Sequence, residues 1–291
     1  MSTPRVVLIT GTSSGIGRAI AESFVQQGLT VFGTSRTFDR VTPVAGVEYL
    51  SLDVRSQDSV QARVDEVVKR AGHIDVLINC AGYELGGAIE GTTLEEAKAL
   101  FDTNFFGTAR MVKAVLPAMR ERGSGHIINM SSVVGWLVPV PFLGYYAASK
   151  TAIEAYTEAL RHEVLPFGVK VSLIEPSFIN TNLGNNRQMA AESIQAYAPW
   201  QGRAFGVIEH QEQTAPPPQL VATTILRAIR ASNPRPRYTV GKGARGMSFI
   251  RRFLPWPAYE RGIRAYFKLD GPRSLTNQPE TSANTRVHSL H

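Results

Sequence analysis

The stretch VVLITGTSSGIGRAI, residues 6 to 20, constrains the fold more than any other part of the chain. It joins an apolar run of strand length to a loop with glycines at 11, 15 and 17 and then to the start of a helix. A short run of apolar, largely β-branched residues reads as a strand buried on both faces, the kind found in parallel sheets. Gly11 permits a sharp exit from that strand, Gly15 keeps side-chain atoms away from a ligand, and Gly17 allows the helix to pack closely. The loop, with Thr12, Ser13, Ser14 and Ile16 between its glycines, therefore reads as a site for a pyrophosphate. Its phosphates would sit on free amides at the helix N-terminus, with the Thr12, Ser13 and Ser14 hydroxyls as added donors.

The same alternation continues along the chain. Strands are predicted at 6–10, 30–34, 47–52, 76–79, 127–130 and 169–175, with helical stretches near 16–27, 56–70, 94–120 and 146–165. Ser56 marks one helix start, and Thr93 with Glu96 has capping-box spacing at another. Repeated βα units with right-handed crossovers imply an α/β fold: a Rossmann-type doubly wound parallel sheet with ligands at the carboxyl ends of its strands. After Pro176 the pattern lapses, and residues 177–219 read as a partly helical substrate lid containing Phe178, Leu183, Met189, Tyr197, Trp200 and Phe205. A helix near 219–231 and a last strand at 238–240 follow. Residues 1–270 are expected to form one domain with a C-terminal extension, and 271–291 a flexible tail.

The end of the second strand, VFGTSRTFDR, selects the dinucleotide. A free ribose 2′-hydroxyl is usually read by an Asp or Glu about 20 residues past the loop, whereas a 2′-phosphate calls for a cation. Ser35 and Arg36 occupy that position, and no acid appears until Asp39. NADP(H) is thus expected in preference to NAD(H), with Arg36 on the 2′-phosphate.

A second motif lies in LGYYAASKTAIEAY, residues 143 to 156. On a helix, residues four apart share a face to within about 40°, while residues five apart diverge by about 140°. Lys150 therefore pairs with Tyr146 rather than Tyr145. A phenol with a pKa near 10 is a poor acid or base at neutral pH unless a nearby positive charge stabilises its phenolate. Lys150 is expected to supply that charge, leaving Tyr146 to exchange a proton with a carbonyl or alcohol oxygen.

In order, TGxxxGIG at the first strand, NCAG closing the fourth, Asn104, the Ser131 and Ser132 pair ending the fifth, and YxxxK resemble the signature of the short-chain dehydrogenase/reductase family, over residues 5 to about 182. The resemblance implies that Ser132 hydrogen-bonds the substrate oxygen, with Ser131 the residual candidate. It implies that Tyr146 is the acid/base, that Lys150 also holds the nicotinamide ribose, and that Asn104 supports a proton-relay water. It further implies cofactor contacts at Asp53, Asn79, Ala81 and Gly82, and a carboxamide site at Pro176, Ile179 and Thr181. Three features depart from the family pattern. Ser132 precedes Tyr146 by 14 positions instead of 13, which places one inserted residue in WLVPVPFLG; Cys80 replaces the second Asn of the usual NNAG; and Ser177 stands where glycine is common.

Apolar content of 43% suits a folded core, and no apolar run approaches the roughly 20 residues that cross a bilayer. With no cleavable leader pattern, a cytoplasmic protein is expected. Cys80, the single cysteine, is expected to be buried and inert, and no Cys and His cluster has metal-ligand spacing. The charge is uneven: residues 1–226 sum to −3 (18 Lys+Arg, 21 Asp+Glu), but residues 227–274 sum to +10 (12 and 2). Within that basic block, Phe249, Phe253 and Trp256 flank Arg251 and Arg252, a pattern suited to weak peripheral membrane contact, although Pro255 and Pro257 are expected to interrupt any amphipathic helix. The segment is more simply read as closing the substrate site. No nucleic-acid module is present.

Together these readings give an NADP(H)-dependent oxidoreductase interconverting a ketone or aldehyde and its alcohol. WLVPVPFL and the aromatic lid point to a small lipophilic substrate, resembling those of hydroxysteroid and retinol dehydrogenases. Family resemblance implies a homodimer or homotetramer built on the helices near 94–120 and 146–165. The alternatives are a 3-oxoacyl-thioester reductase or a non-catalytic sensor of NADP(H).

Overall fold

Seven parallel strands form the central layer, in the order β3-β2-β1-β4-β6-β7-β9. They are β1 (Val6–Thr10), β2 (Thr30–Ser35), β3 (Val47–Ser51), β4 (Val76–Asn79), β6 (Gly125–Met130), β7 (Val169–Pro176) and β9 (Arg237–Val240). The computed structural model describes residues 5–37, 42–135, 138–181, 187–241 and 253–270. Asp39, Trp136, Leu137, Leu183, Phe249, Arg251, Arg252 and the expected tail at 271–291 lie outside these residues. All seven predicted strands are present within a residue or two of their expected ends. The sheet is doubly wound, and its order reverses at β1 and β4, where a crevice opens at the carboxyl ends.

Both faces of the sheet are covered. On one side, α2 (Gln57–Ala71) and α4 (Gly107–Arg122) bury Val60, Val64, Val67, Met111 and Val115 against Leu8, Leu77 and Ile127. On the other, α1 (Gly15–Gln26) and α7 (Gln219–Arg230) bury Ile20, Phe24, Val221 and Ile225 against Val7, Ile9 and Ile78. Side chains alternate between faces along a strand, so β1 supplies Val6 and Leu8 to one core and Val7 and Ile9 to the other. Ser56 caps α2 by accepting from the Ser59 amide, and Thr93 with Glu96 forms the expected reciprocal box on α3 (Leu94–Phe101).

The helix predicted across 94–120 is broken. Between α3 and α4, residues Asp102–Phe106 form a π-helical turn. Such turns concentrate at functional sites because the extra residue re-aims a side chain. Here the re-aimed side chain is Asn104, which is held inside the fold by both polar groups of the Tyr83 backbone.

The lid is also more regular than its irregular sequence suggests. It contains α6 (Ala198–Gln213) and a short strand, β8 (Gln188–Met189), which pairs with β5 (Leu85–Gly86) in the loop after β4. A second difference follows β9, where Pro255 and Pro257 do not interrupt a helix but begin one, α8 (Trp256–Tyr266). Pro255 is the N-cap and Pro257 lies in the first turn, where no amide is needed and the fixed φ suits the helix. Ile263 and the fully buried Phe267 from this segment pack into a third cluster with Leu85, Tyr146 and Ile208, above the carboxyl ends of the strands.

Candidate active site

Helix α5 (Gly144–Val164) begins at the mouth of the crevice and points Tyr146 and Lys150 into it, one turn apart. Both side chains are buried, and the Lys150 ammonium lies 5.6 Å from the centre of the Tyr146 ring. Tyr145 faces elsewhere, lining a surface groove with Leu94, Phe101 and Phe106. Tyr146 thus shares the cavity with Lys150, as their helical spacing implies, and Tyr145 does not. Just before α5, Phe142 has a φ of 65°, unusual for a non-glycine residue, which stores local strain beside the cavity. Its ring packs edge-on to Tyr197 of the lid, 6.3 Å away.

Ser132 lines the cavity beside Tyr146, and its Oγ accepts from the Val134 amide (3.2 Å). Ser131, the residual candidate, is turned into the protein, where it donates to Glu154 (2.9 Å). Asn104 accepts from the Tyr83 amide and donates to Ser149 Oγ (3.1 Å), at the base of the same helix turn. A Cβ built on Gly82 would lie 3.0 Å from Asn104 Oδ1 and 3.8 Å from Lys150 Nζ, so the bare backbone at 82 leaves room for the Asn104 amide.

The electrostatics differ from the expectation in one respect. Burial, reinforced by the Glu84 carboxylate, pushes the Tyr146 phenol well above 10, and Lys150 does not reverse this. Lys150 itself is lowered to about 8 by desolvation, and its ammonium donates to the Met130 carbonyl (3.1 Å). Desolvation of the buried phenol is the largest cause and prevails over the neighbouring positive charges. In the free protein, then, Tyr146 is a protonated donor.

The glycine loop has the expected form. Gly11 has φ +76°, and a Cβ there would sit 2.8 Å from the Ala81 backbone; one on Gly17 would meet the Gly11 carbonyl at 2.2 Å. Gly15, Ile16, Ser13 and Ser14 line the cavity with Gly11 and Gly17, and Ser14 at the N-cap of α1 makes no side-chain cap bond. Ala81, Gly82, Pro176, Ile179 and Thr181 line the same cavity, of about 230 Å³.

Several expected contacts are corrected. Thr12 is fully buried and its hydroxyl donates to the Thr34 carbonyl (3.2 Å), so it anchors the loop rather than facing a phosphate. Asn79 turns into the sheet and donates to Asn129 (2.9 Å). Asp53 lies outside the cavity, its carboxylate gripped by the Arg55 guanidinium at 2.7 Å and held below the usual range. Ser35 donates to the Thr37 carbonyl, while Arg36 is exposed at the end of β2. Cys80 is half-buried, packing against one core while also lining the cavity; its thiol, pushed up to about 11 by desolvation, stays protonated.

Sequence reasoning passed over an ionic group in this cavity. Arg187 of the lid, with its side chain only 5% exposed, bridges Glu84 (2.9 Å) and Glu212 (3.1 Å) and stacks its guanidinium 5.0 Å over Phe205. Desolvation raises Glu212 to about 7. These residues lie up to 128 positions apart with no shared spacing, so no local pattern could have joined them. Thr10 was also missed: its hydroxyl accepts from the Cys80 and Ala81 amides (3.0 Å each) and fixes the NCAG turn.

A family model described as short chain dehydrogenase matches residues 5–192. A 3-ketodihydrosphingosine reductase of Bacteroides thetaiotaomicron is 40% identical over 240 residues, 82% of this chain and 88% of its own length. The crystal structure of a short-chain dehydrogenase from Streptomyces avermitilis superposes with TM-score 0.79 at 34% identity, covering 92% of this chain and 98% of that one. Serine dehydrogenase complexed with NADP+ is similar at TM-score 0.69 and 27% identity, covering 81% and 94%. A Burkholderia phymatum short chain dehydrogenase/reductase in complex with NAD reaches 0.72 and 26%, covering 90% and 92%.

Proposed function

The chain belongs to the short chain dehydrogenase family, whose members are nicotinamide-dependent oxidoreductases, and from that premise we propose that it reduces a lipophilic ketone or aldehyde to the alcohol with NADPH. The observation that carries this reading is the buried Tyr146 phenol, one turn from Lys150 and beside Ser132, in a cavity continuous with the glycine loop.

The cradle fits a dinucleotide. Free amides at the start of α1, bare backbone at Gly15 and Gly82, and exposed Ser13 and Ser14 suit a pyrophosphate, and Arg36 suits a 2′-phosphate. When bound, the nicotinamide supplies the hydride. Ser132 holds the carbonyl oxygen, and Tyr146 donates its proton to that oxygen as negative charge develops there. The positive Lys150 then stabilises the phenolate left behind, and the Asn104 site supports return of a proton from water. A phenol kept protonated by burial is ready to donate to a carbonyl oxygen, which supports the reductive reading.

Val133, Val134, Val140, Leu143, Phe178 and Ile208 line the cavity with apolar side chains beside the Glu84 and Glu212 carboxylates that Arg187 pairs. This supports a lipophilic carbonyl compound, in line with the name of the 40%-identical relative. The same reading has a cytoplasmic enzyme that pairs with copies of itself through the groove at Leu94, Phe106 and Tyr145. Sedimentation tests that pairing: a Phe106→Glu variant should shift to monomer.

The enzymatic test is NADPH oxidation over long-chain 3-oxo compounds, steroids, retinoids and small charged carbonyls. Activity confined to the last group would overturn the substrate class. Tyr146→Phe should lower kcat by about 100-fold or more while NADPH still binds, since a positioned acid contributes about that much; retained turnover would refute the role. Arg36→Ala should weaken NADPH binding by about tenfold and leave NADH unchanged, as expected for a lost hydrogen bond to a charged group.

A further inference from the structure

Residues 253–256 form an exposed apolar run that the proposed chemistry does not use. Phe253 is 65% exposed, Leu254 40% and Trp256 61%, with Pro255 exposed between them. Four consecutive apolar residues in contact with water are a pattern that folded surfaces avoid unless it serves binding. The run is rigidly mounted. Trp256 packs against Tyr259 at a centroid distance of 5.8 Å, Tyr259 is buried, and Ile263 and Phe267 of the same helical segment anchor it in the cluster containing Tyr146.

We propose that residues 253–256 and helix α8 form a docking surface for an anionic lipid membrane, set against the outer wall of the catalytic cavity. Aromatic side chains partition into the boundary between headgroups and acyl chains, and nearby cations are drawn to anionic headgroups. Both features are present. Arg261, Arg264 and Lys268 are exposed on or next to α8, accompanied by Glu260 and Asp270, the latter paired with Arg264 (2.8 Å). They belong to a block, residues 227–274, with twelve Lys+Arg and two Asp+Glu. That charge decides between occupants. A second copy seated here would bring two basic blocks together, whereas an anionic bilayer complements both the charge and the apolar run. The proposal stands apart from the substrate reading, because its test reads lipid binding and not turnover.

The test is flotation of the full chain with phosphatidylcholine vesicles, with and without about 30% phosphatidylglycerol, a fraction that gives the strongly anionic surface the argument requires. Binding is expected to the anionic vesicles, weaker to the neutral ones, and to decline as salt rises. The double variant Phe253→Ser/Trp256→Ser should lose about tenfold or more of the bound fraction, as removal of two buried aromatic anchors implies, at an unchanged melting temperature. Arg261→Gln/Arg264→Gln should lose part of it and keep less of the salt dependence. The proposal is overturned if the full chain stays lipid-free with anionic vesicles, or if the serine variant floats as well as the parent. Sedimentation showing that residues 253–256 are consumed in a self-association that the serine variant dissolves would overturn it too.

Discussion

Lys150 shows how a single residue can serve the site at a cost to the fold. Its ammonium is buried and lowered to about 8, whereas in an unfolded chain it titrates near 10.5. Between those values the unfolded state binds more protons than the folded one, so stability must rise with pH across that window. Cys80, raised to about 11, acts in the opposite sense above pH 9, which leaves pH 8 to 9 as the clearest interval. A Lys150→Met variant should lose the upward slope there and gain stability at pH 7, by up to about 3 kcal/mol at the conversion of 1.36 kcal/mol per pKa unit. Parallel pH profiles of urea midpoints for parent and variant measure this; identical slopes would refute it. The identity of the Tyr146 and Lys150 pair was legible from helical spacing alone, because a helix fixes which neighbours share a face. The sign of the phenol's shift was not, because desolvation depends on everything packed around it.

At the scale of elements, strands were easier to foresee than the segments joining them. The strands carry apolar β-branched runs that sit in the middle of the sheet, so period and composition agree with their environment. The π turn at Asp102–Phe106 has no comparable signature, since it exists to satisfy contacts between Asn104 and the Tyr83 backbone from a different part of the chain. The lid is held the same way. Arg187 ties the loop after β4 to the end of α6 through Glu84 and Glu212, in a site largely closed to water. Arg187→Ala would leave those carboxylates buried without a cation and should cost about 3 kcal/mol or more. The loss should be smaller at pH 5 than at pH 8, because Glu212, raised to about 7, is neutralised by protonation at the lower pH. Thermal melts at the two values check this, and an equal loss at both would show that charge burial is not the cause.

Over the whole molecule, two cores sandwich the sheet and a third closes the cavity above it. That third cluster gathers residues from the loop after β4, the start of α5, the lid and α8, so the surroundings of Tyr146 are shaped by segments spanning most of the chain. Phe267, fully buried there, is the remote end of that dependence. Phe267→Ala should destabilise the protein by about 3–5 kcal/mol, the usual range for emptying a large buried site. It should also broaden the set of carbonyl compounds turned over. A change below 1 kcal/mol in denaturant unfolding would mean that α8 is not seated on the cavity.

By itself the sequence determined the sheet, its winding, the form of the glycine loop and the pairing of Lys150 with Tyr146 instead of Tyr145. Each of these rests on local periodicity, or on a steric demand made by neighbouring residues. Only the tertiary structure decided that Thr12 and Asn79 face inward, that Pro255 and Pro257 open a helix, and that Arg187 meets Glu84 and Glu212. It also decided that burial keeps the phenol protonated. Those outcomes follow from desolvation and from contacts between distant segments, which have no period along the chain and come into being only when the segments meet.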